Sequence, residues 1–384
     1  MFQTVLFLFN NILYNIYMET KFLKPRTVFL GGSGNVKRIV IGGNEPVSIQ
    51  TMWKTGIAEI CENDEKLTEL LKQINILKSL GCDILRFAVP DVKSAEALVR
   101  IQNNTDMPLV ADIHFDHRLA LECLKGNVAA IRINPGNIGN RKKVEEVVCA
   151  CREKGAAIRI GVNSGSLPKD LAEKVANGQI SRADALAETA AREAAVFEEL
   201  NFDQYVVSMK ASSVQETIEA NESFAKKYDI PLHIGVTEAG PLITGIVKST
   251  MAFTRLLNEG IGSTIRVSLS SSPENEVITG REILHETGKR KGGVTIVSCP
   301  RCGREGFDVH GFVQRWQNEL LSMKKEITVA VMGCVVNGPG EGKHADLGIA
   351  GAGGKAIIFK KGKIIRTIND SDADNAFREE LNSL

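Results

Sequence analysis

Aromatic residues make up only 5% of this 384-residue chain, and its 47 basic side chains are balanced by 46 acidic ones. Few aromatics means few stacking platforms for nucleic-acid bases. A net charge of +1 gives no global field to draw the chain to nucleic acid or to anionic lipid. Long apolar runs are also missing. The most apolar stretch, MFQTVLFLFNNILYNIY, is broken by Asn10, Asn11 and Asn15, and it falls short of the roughly 20 residues that cross a bilayer. It has no basic n-region and no small-residue cleavage site, so it reads poorly as a signal peptide. Translation from Met18, a cytoplasmic location, and no membrane or nucleic-acid partner are the expectations. The eight cysteines are too sparse for a secreted disulfide scaffold. Cys61, Cys82, Cys123, Cys149 and Cys151 are scattered through apolar or helical context and read as ordinary thiols. The other three cysteines fall within 36 residues near the C-terminus.

What is present, from Pro46 to about Gly288, is a regular alternation. Short β-rich runs occupy 47–52, 83–89, 108–113, 128–134, 156–162, 204–209, 231–236 and 263–269. Between them lie helical stretches with apolar spacing near three and four, several ending in Gly. β-runs joined by helices call for parallel strands, and eight such units fit a (β/α)8 TIM barrel. The C-terminal ends of the runs carry Arg86, Asp112 with His114, Arg132 with Asn134, Arg159 with Asn163, Lys210, Glu238, and Arg266 with Ser268. In this architecture those ends share one mouth. Charges inside apolar runs are costly unless paired or bound to a ligand. Four arginines and a lysine with only Asp112 and Glu238 as evident partners imply a polyanionic ligand, most simply a phosphate or diphosphate. His233, inside a run, reads as a core histidine. GGSGN (31–35) and GIAGAGGKA (348–356) lack the context of nucleotide-binding loops and read as turns.

After Gly288 short strands and two helices suggest a small α+β domain. It carries Cys299 and Cys302 in SCPRCGREGF, and Cys334 in GCVVNGPGE, which ends at Glu341. A zinc ribbon normally supplies a second cysteine pair, although His344 could complete a zinc site. Three thiolates with one weaker oxygen ligand suit a 4Fe-4S cluster. Spacing alone leaves cluster, zinc and free thiols open. Three functions stay in view: a redox enzyme on a phosphorylated substrate, a non-redox phosphate-binding lyase with a structural zinc ribbon and Lys210 as a Schiff-base candidate, and a zinc-ribbon nucleic-acid module.

ADIHFDHRLA, IRINPGNIGN, IRIGVNSGSL, VSMKAS, HIGVTEAG, IRVSLS, CPRCGR and GCVVNGPGE, taken in order, resemble the bacterial 4-hydroxy-3-methylbut-2-en-1-yl diphosphate synthase family. The resemblance implies residues 1–35 as an N-terminal extension, 36–288 as a TIM-barrel substrate domain, and 289–384 as an iron-sulfur domain. It implies reductive opening of 2-C-methyl-D-erythritol 2,4-cyclodiphosphate with loss of water, in isoprenoid precursor synthesis. It implies one 4Fe-4S cluster on Cys299, Cys302, Cys334 and Glu341, with ferredoxin or flavodoxin as donor. It also implies a head-to-tail homodimer in which one subunit's cluster domain caps the other's barrel. By the same resemblance Arg86, Asp112, Arg132, Arg159, Asn163, Lys210, Arg266, Ser268 and Asn337 bind substrate, and Glu238 handles a proton. QTMWKTGI (50–57), which includes Trp53 and Lys54, Ser213, Ser272 and the PLITG that follows TEAG depart from the family pattern.

Overall fold

The computed structural model describes residues 22–300, 306–336 and 338–384. The N-terminal apolar run, Cys302 and Asn337 lie outside the described residues. The chain divides into two compact units, one ending at Arg290 and the other beginning at Lys291.

The first unit opens with an antiparallel hairpin, β1 (Val28–Leu30) and β2 (Ile39–Ile41). Eight parallel strands follow: β3 (Ser48–Met52), β4 (Ile84–Ala88), β5 (Leu109–Asp112), β6 (Ala130–Ile133), β7 (Ala157–Asn163), β8 (Tyr205–Lys210), β9 (His233–Ile234) and β10 (Thr264–Ile265). Their order is β8-β7-β6-β5-β4-β3-β10-β9, and a parallel bridge between Val207 and Leu232 joins the two ends into a ring. The helices between them have local reasons to form. Asn63 caps Asp64–Leu80 by accepting from Lys66 N, and Gly81 ends that helix in the left-handed region. Its buried residues Leu67, Leu70, Ile74 and Leu77 recur at helical spacing and face the strands.

Strand alternation sends every second side chain into the barrel. At the N-terminal ends these are Ile84, Val110, Ala130, Ala157 and Val206. They form one apolar cluster with Val28, Leu30 and Ile41, so the hairpin plugs that end. Val28–Leu30, within the expected extension over 1–35, is one strand of this hairpin. GGSGN is the hairpin's connection, and a Cβ on Gly31 would lie 2.5 Å from the Lys37 carbonyl oxygen. Three-residue strands carry too little periodicity to be read from sequence.

The second unit has a five-stranded sheet in the order β11 (Val294–Ser298), β12 (Ile327–Met332), β13 (Leu347–Gly351), β14 (Lys355–Lys360), β15 (Lys363–Asn369). The first three are parallel and the last two add as antiparallel hairpins. GIAGAGGKA spans the end of β13, the turn at 352–354 and the start of β14, with Gly353 and Gly354 at positive φ. The helices Val309–Ser322 and Ala373–Asn382 share an aromatic core in which Phe312 and Trp316 both meet Phe377 edge-on.

Candidate active site

The C-terminal ends of β3–β10 surround a cavity of about 230 Å3. Arg86, Asp112, Arg132, Asn163, Lys210, Arg266 and Ser268 line it together with Met52, His114, Ser208 and Thr237. Arg159 lies one pleat nearer the plugged end of β7 than Gly161. It lines a separate, smaller cavity. Glu238 is exposed on the loop after β9, does not line the mouth, and holds a left-handed φ of 50°.

Two carboxylates organise the cations. Asp112 Oδ1 accepts from Arg132 Nη1 at 3.2 Å, while Arg86 Nε lies 3.7 Å from Oδ2 and His114 Nε2 3.5 Å. The second carboxylate is Glu276, on the helix Pro273–Glu286, and only 1% of it is exposed. Glu276 accepts from Thr51 Oγ1 at 2.6 Å, from Leu269 N at 3.0 Å and from Arg266 Nη2 at 3.1 Å, and Lys54 Nζ also bonds it. The expectation that Asp112 and Glu238 are the partners is thus corrected: Glu276 takes the second place. It escapes a sequence reading because an acidic residue in the first turn of a helix is ordinarily a solvated dipole partner. Arg266 Nη1 also donates to Ser268 Oγ at 2.6 Å.

Electrostatics follow from this packing. Burial alone would raise the Asp112 carboxyl, but Arg86, the bond from His114, Arg132 and Arg159 hold it well below the ordinary carboxylate range. Burial pulls the Arg86 guanidinium down to about 10, against the restoring charge of Asp112. Burial, reinforced by Arg86 and Arg132, pushes Arg159 well below its ordinary value. Lys210 is lowered likewise, by burial first and then by Arg159, Arg86, Arg266 and Arg132. Six basic side chains (Arg86, Arg132, Arg159, Lys210, Arg266 and Lys54) share two carboxylates (Asp112, Glu276), so basic groups outnumber acidic ones by four. Glycine makes room for them: a Cβ on Gly161 would sit 2.3 Å from Arg132 Nε, so that guanidinium crosses the backbone where only hydrogen fits.

Two of the departures from the family pattern have a plain structural reading. Ser213 caps Val214–Ala225 by accepting from Glu216 N, and Ser272 caps Pro273–Glu286 by accepting from Asn275 N. Serine and aspartate are nearly equivalent at such positions. Trp53 stacks on Phe87 with ring centroids 5.9 Å apart, and Lys54 joins the Glu276 hub.

In the second unit, β11 and β12 are adjacent and parallel, and Cys299 and Cys334 follow their C-terminal ends. The Gly333 amide donates to Cys299 Sγ at 3.0 Å. Gly338 N donates to the Cys334 carbonyl at 3.0 Å, turning the chain toward the short helix Glu341–His344. Backbone amides donating to cysteine sulfur recur in iron-sulfur sites, where they tune the cluster. These residues fit an iron-sulfur group.

Residues 33–281 match the GcpE TIM-barrel domain and residues 295–383 the GcpE protein C-terminal domain. The 4-hydroxy-3-methylbut-2-en-1-yl diphosphate synthase (flavodoxin) of Treponema denticola is 57% identical, over 94% of this chain and 98% of its own length. The proteins of that name from Treponema pallidum and Thermodesulfovibrio yellowstonii are 56% and 47% identical, covering 94% and 93% of this chain and 92% and 98% of their own lengths. A barrel with a basic mouth, a separate cysteine-bearing sheet and this extent of identity assign the chain to the GcpE family of 4-hydroxy-3-methylbut-2-en-1-yl diphosphate synthases.

Proposed function

We propose that the chain converts 2-C-methyl-D-erythritol 2,4-cyclodiphosphate to (E)-4-hydroxy-3-methylbut-2-en-1-yl diphosphate. Two electrons open the ring and one oxygen leaves as water. The observation that carries this reading is the surplus of basic side chains over carboxylates at and just behind the barrel mouth, which a diphosphate would neutralise. Arg86, Arg132, Lys210 and Arg266 hold the phosphates, with Arg159 behind them. Asn163 and Ser268 supply neutral hydrogen bonds, and Asp112 fixes Arg132 and Arg86 rather than facing the anion. Glu238 takes the proton-handling role, supported by its place on the loop after β9 and by a backbone strain typical of functional loops. Asn337 keeps the substrate-binding role that the family resemblance implies for it.

Cys299, Cys302, Cys334 and Glu341 hold one 4Fe-4S cluster, which when bound supplies the electrons and a Lewis-acidic iron. Glu341 would supply such a cluster with one oxygen ligand, weaker than the three thiolates. The names of the relatives support flavodoxin as donor, with ferredoxin as the alternative. The functional assembly is a head-to-tail homodimer in the cytoplasm, and the described residues contain no helix long and apolar enough to cross a membrane.

The test is anaerobic purification with iron, acid-labile sulfide and zinc measured together, followed by turnover of the cyclodiphosphate. About four irons and four sulfides per chain, lost in Cys334→Ser, support the reading. One zinc, no sulfide and no turnover after reconstitution would overturn it.

A further inference from the structure

Between the basic mouth and the hairpin plug lies a second cavity of about 20 Å3. Gln50, Arg159, His233 and Thr264 contribute its polar wall, and Leu30 and Ile41 of the hairpin help seal it. All four polar residues are buried. Arg159 Nε, Nη1 and Nη2, Gln50 Oε1 and His233 Nε2 are each without a hydrogen-bond partner in the protein. Buried polar atoms of this kind are ordinarily satisfied, by ordered water where protein does not reach them.

The wall has a definite polarity. His233 Nδ1 lies 2.7 Å from Thr264 Oγ1. Burial, with Lys210 and Arg159 nearby, holds the imidazole neutral. With Nδ1–H donating to Thr264, Nε2 presents a lone pair. Gln50 Oε1 is a second acceptor, and the Arg159 guanidinium is the donor. A water donates twice and accepts from a cation, which matches this set. A halide has no proton for the two acceptors. The volume holds one water, since about 10–15 Å3 is the least a water needs.

We propose that this cavity is a single-water site, and that its water ties the Arg159 guanidinium to Gln50 and His233. Gln50 and His233 are then positioning residues that aim Arg159 from behind. The consequence for substrate rests on the reading of the mouth as a diphosphate site; the water site itself does not.

The test is a crystal structure of the substrate-free protein at a resolution that shows ordered water, with parallel crystals grown in bromide. One density peak within hydrogen-bond distance of Arg159, Gln50 Oε1 and His233 Nε2, without bromide anomalous signal, is the expected result. A bromide signal, no peak, or Arg159 bonded directly to Gln50 would overturn the proposal. The second arm is kinetic. His233→Leu and Gln50→Leu should each raise KM for the cyclodiphosphate about tenfold with kcat within about twofold, because an ordered water is lost without replacement. His233→Gln, which restores an acceptor, should recover most of that loss; an equal loss in His233→Gln and His233→Leu would refute the positioning role. If the protein fails to turn over the cyclodiphosphate at all, the crystallographic arm still decides the water site, and that failure falls on the proposed function alone.

Discussion

Lys210→Met should make the ligand-free protein more stable while removing its response to a diphosphate. Lys210 is only 7% exposed, at the end of β8. Burial and the charges of Arg159, Arg86, Arg266 and Arg132 depress its ammonium well below the ordinary lysine value. The sign follows from linkage. Between the depressed folded pKa and the unfolded value the unfolded chain binds the extra proton, so stability rises with pH across that window and the penalty is fully present below it. Methionine keeps most of the aliphatic stem and carries no charge. Replacing buried charge by an apolar side chain of similar size stabilises by about 1–4 kcal/mol in comparable cases. A Tm increase of roughly 2–4 °C per kcal/mol applies to a unit of this size. The gap between variant and wild type should narrow as pH approaches the lysine range. Pyrophosphate at 100 times its Kd should then stabilise the wild type by about 2.7 kcal/mol, and the variant far less. The assay is thermal unfolding from pH 6 to pH 10 with and without pyrophosphate. A Lys210→Met protein that melts below wild type without ligand, or gains as much from pyrophosphate, refutes the reasoning.

Glu276→Gln should destabilise by about 3–5 kcal/mol, because it strips the buried counter-charge from Arg266 and Lys54; urea unfolding measures it, and a loss below 1 kcal/mol would mean the hub is not needed. Glu238→Gly should leave stability nearly unchanged, since relief of the left-handed φ and the greater unfolded-state freedom of glycine, each about 1 kcal/mol, offset one another. Turnover should nevertheless fall sharply, and full activity would remove Glu238 from the proton path. Gly161→Ala should cost about 1–3 kcal/mol through overpacking against Arg132 and raise KM for the substrate; an unaltered KM would show that Arg132 can be displaced without loss.

The barrel was legible in the sequence because its strands are buried on both faces, so they read as apolar runs, and because arginine stands out in such runs. Arg86, Arg132 and Arg266 needed no structure to be noticed. The relation of those cations to their counter-charges was hidden. Asp112 sits in a strand and is conspicuous. Glu276 sits in PENEVITGREILHE, where a carboxylate near a helix start is unremarkable, yet it is the more completely buried of the two. Glu238, conspicuous in the loop TEAG, turned out exposed and unpaired with the arginines. Ser213 and Ser272 stood out as departures from the family pattern, and the structure gives them the local task of capping a helix.

Overall neutrality also concealed the site's character. A chain with net charge +1 has no long-range pull on anions, but a surplus of basic side chains held in and behind one concave, buried mouth focuses a field that the surface average does not reveal. That field is unfavourable to folding until an anion enters. Each buried cation pulls its neighbours' pKa values down, as Arg159 does to Lys210 and Arg86 does to both. The rigid surround keeps them together: the apolar hairpin plug on one side, Asp112 and Glu276 on the other, and Gly161 where Arg132 must pass. Affinity for a diphosphate therefore comes in large part from relief of repulsion that folding has already imposed. Binding should accordingly take up a proton wherever Lys210 is neutral in the free protein, so that affinity rises as pH falls through the Lys210 titration. Calorimetry of pyrophosphate binding in two buffers of different ionisation enthalpy, run on wild type and Lys210→Met so that the ligand's own titration is common to both, would detect that proton, and equal proton exchange at every pH from 6 to 10 would show that Lys210 stays charged without ligand.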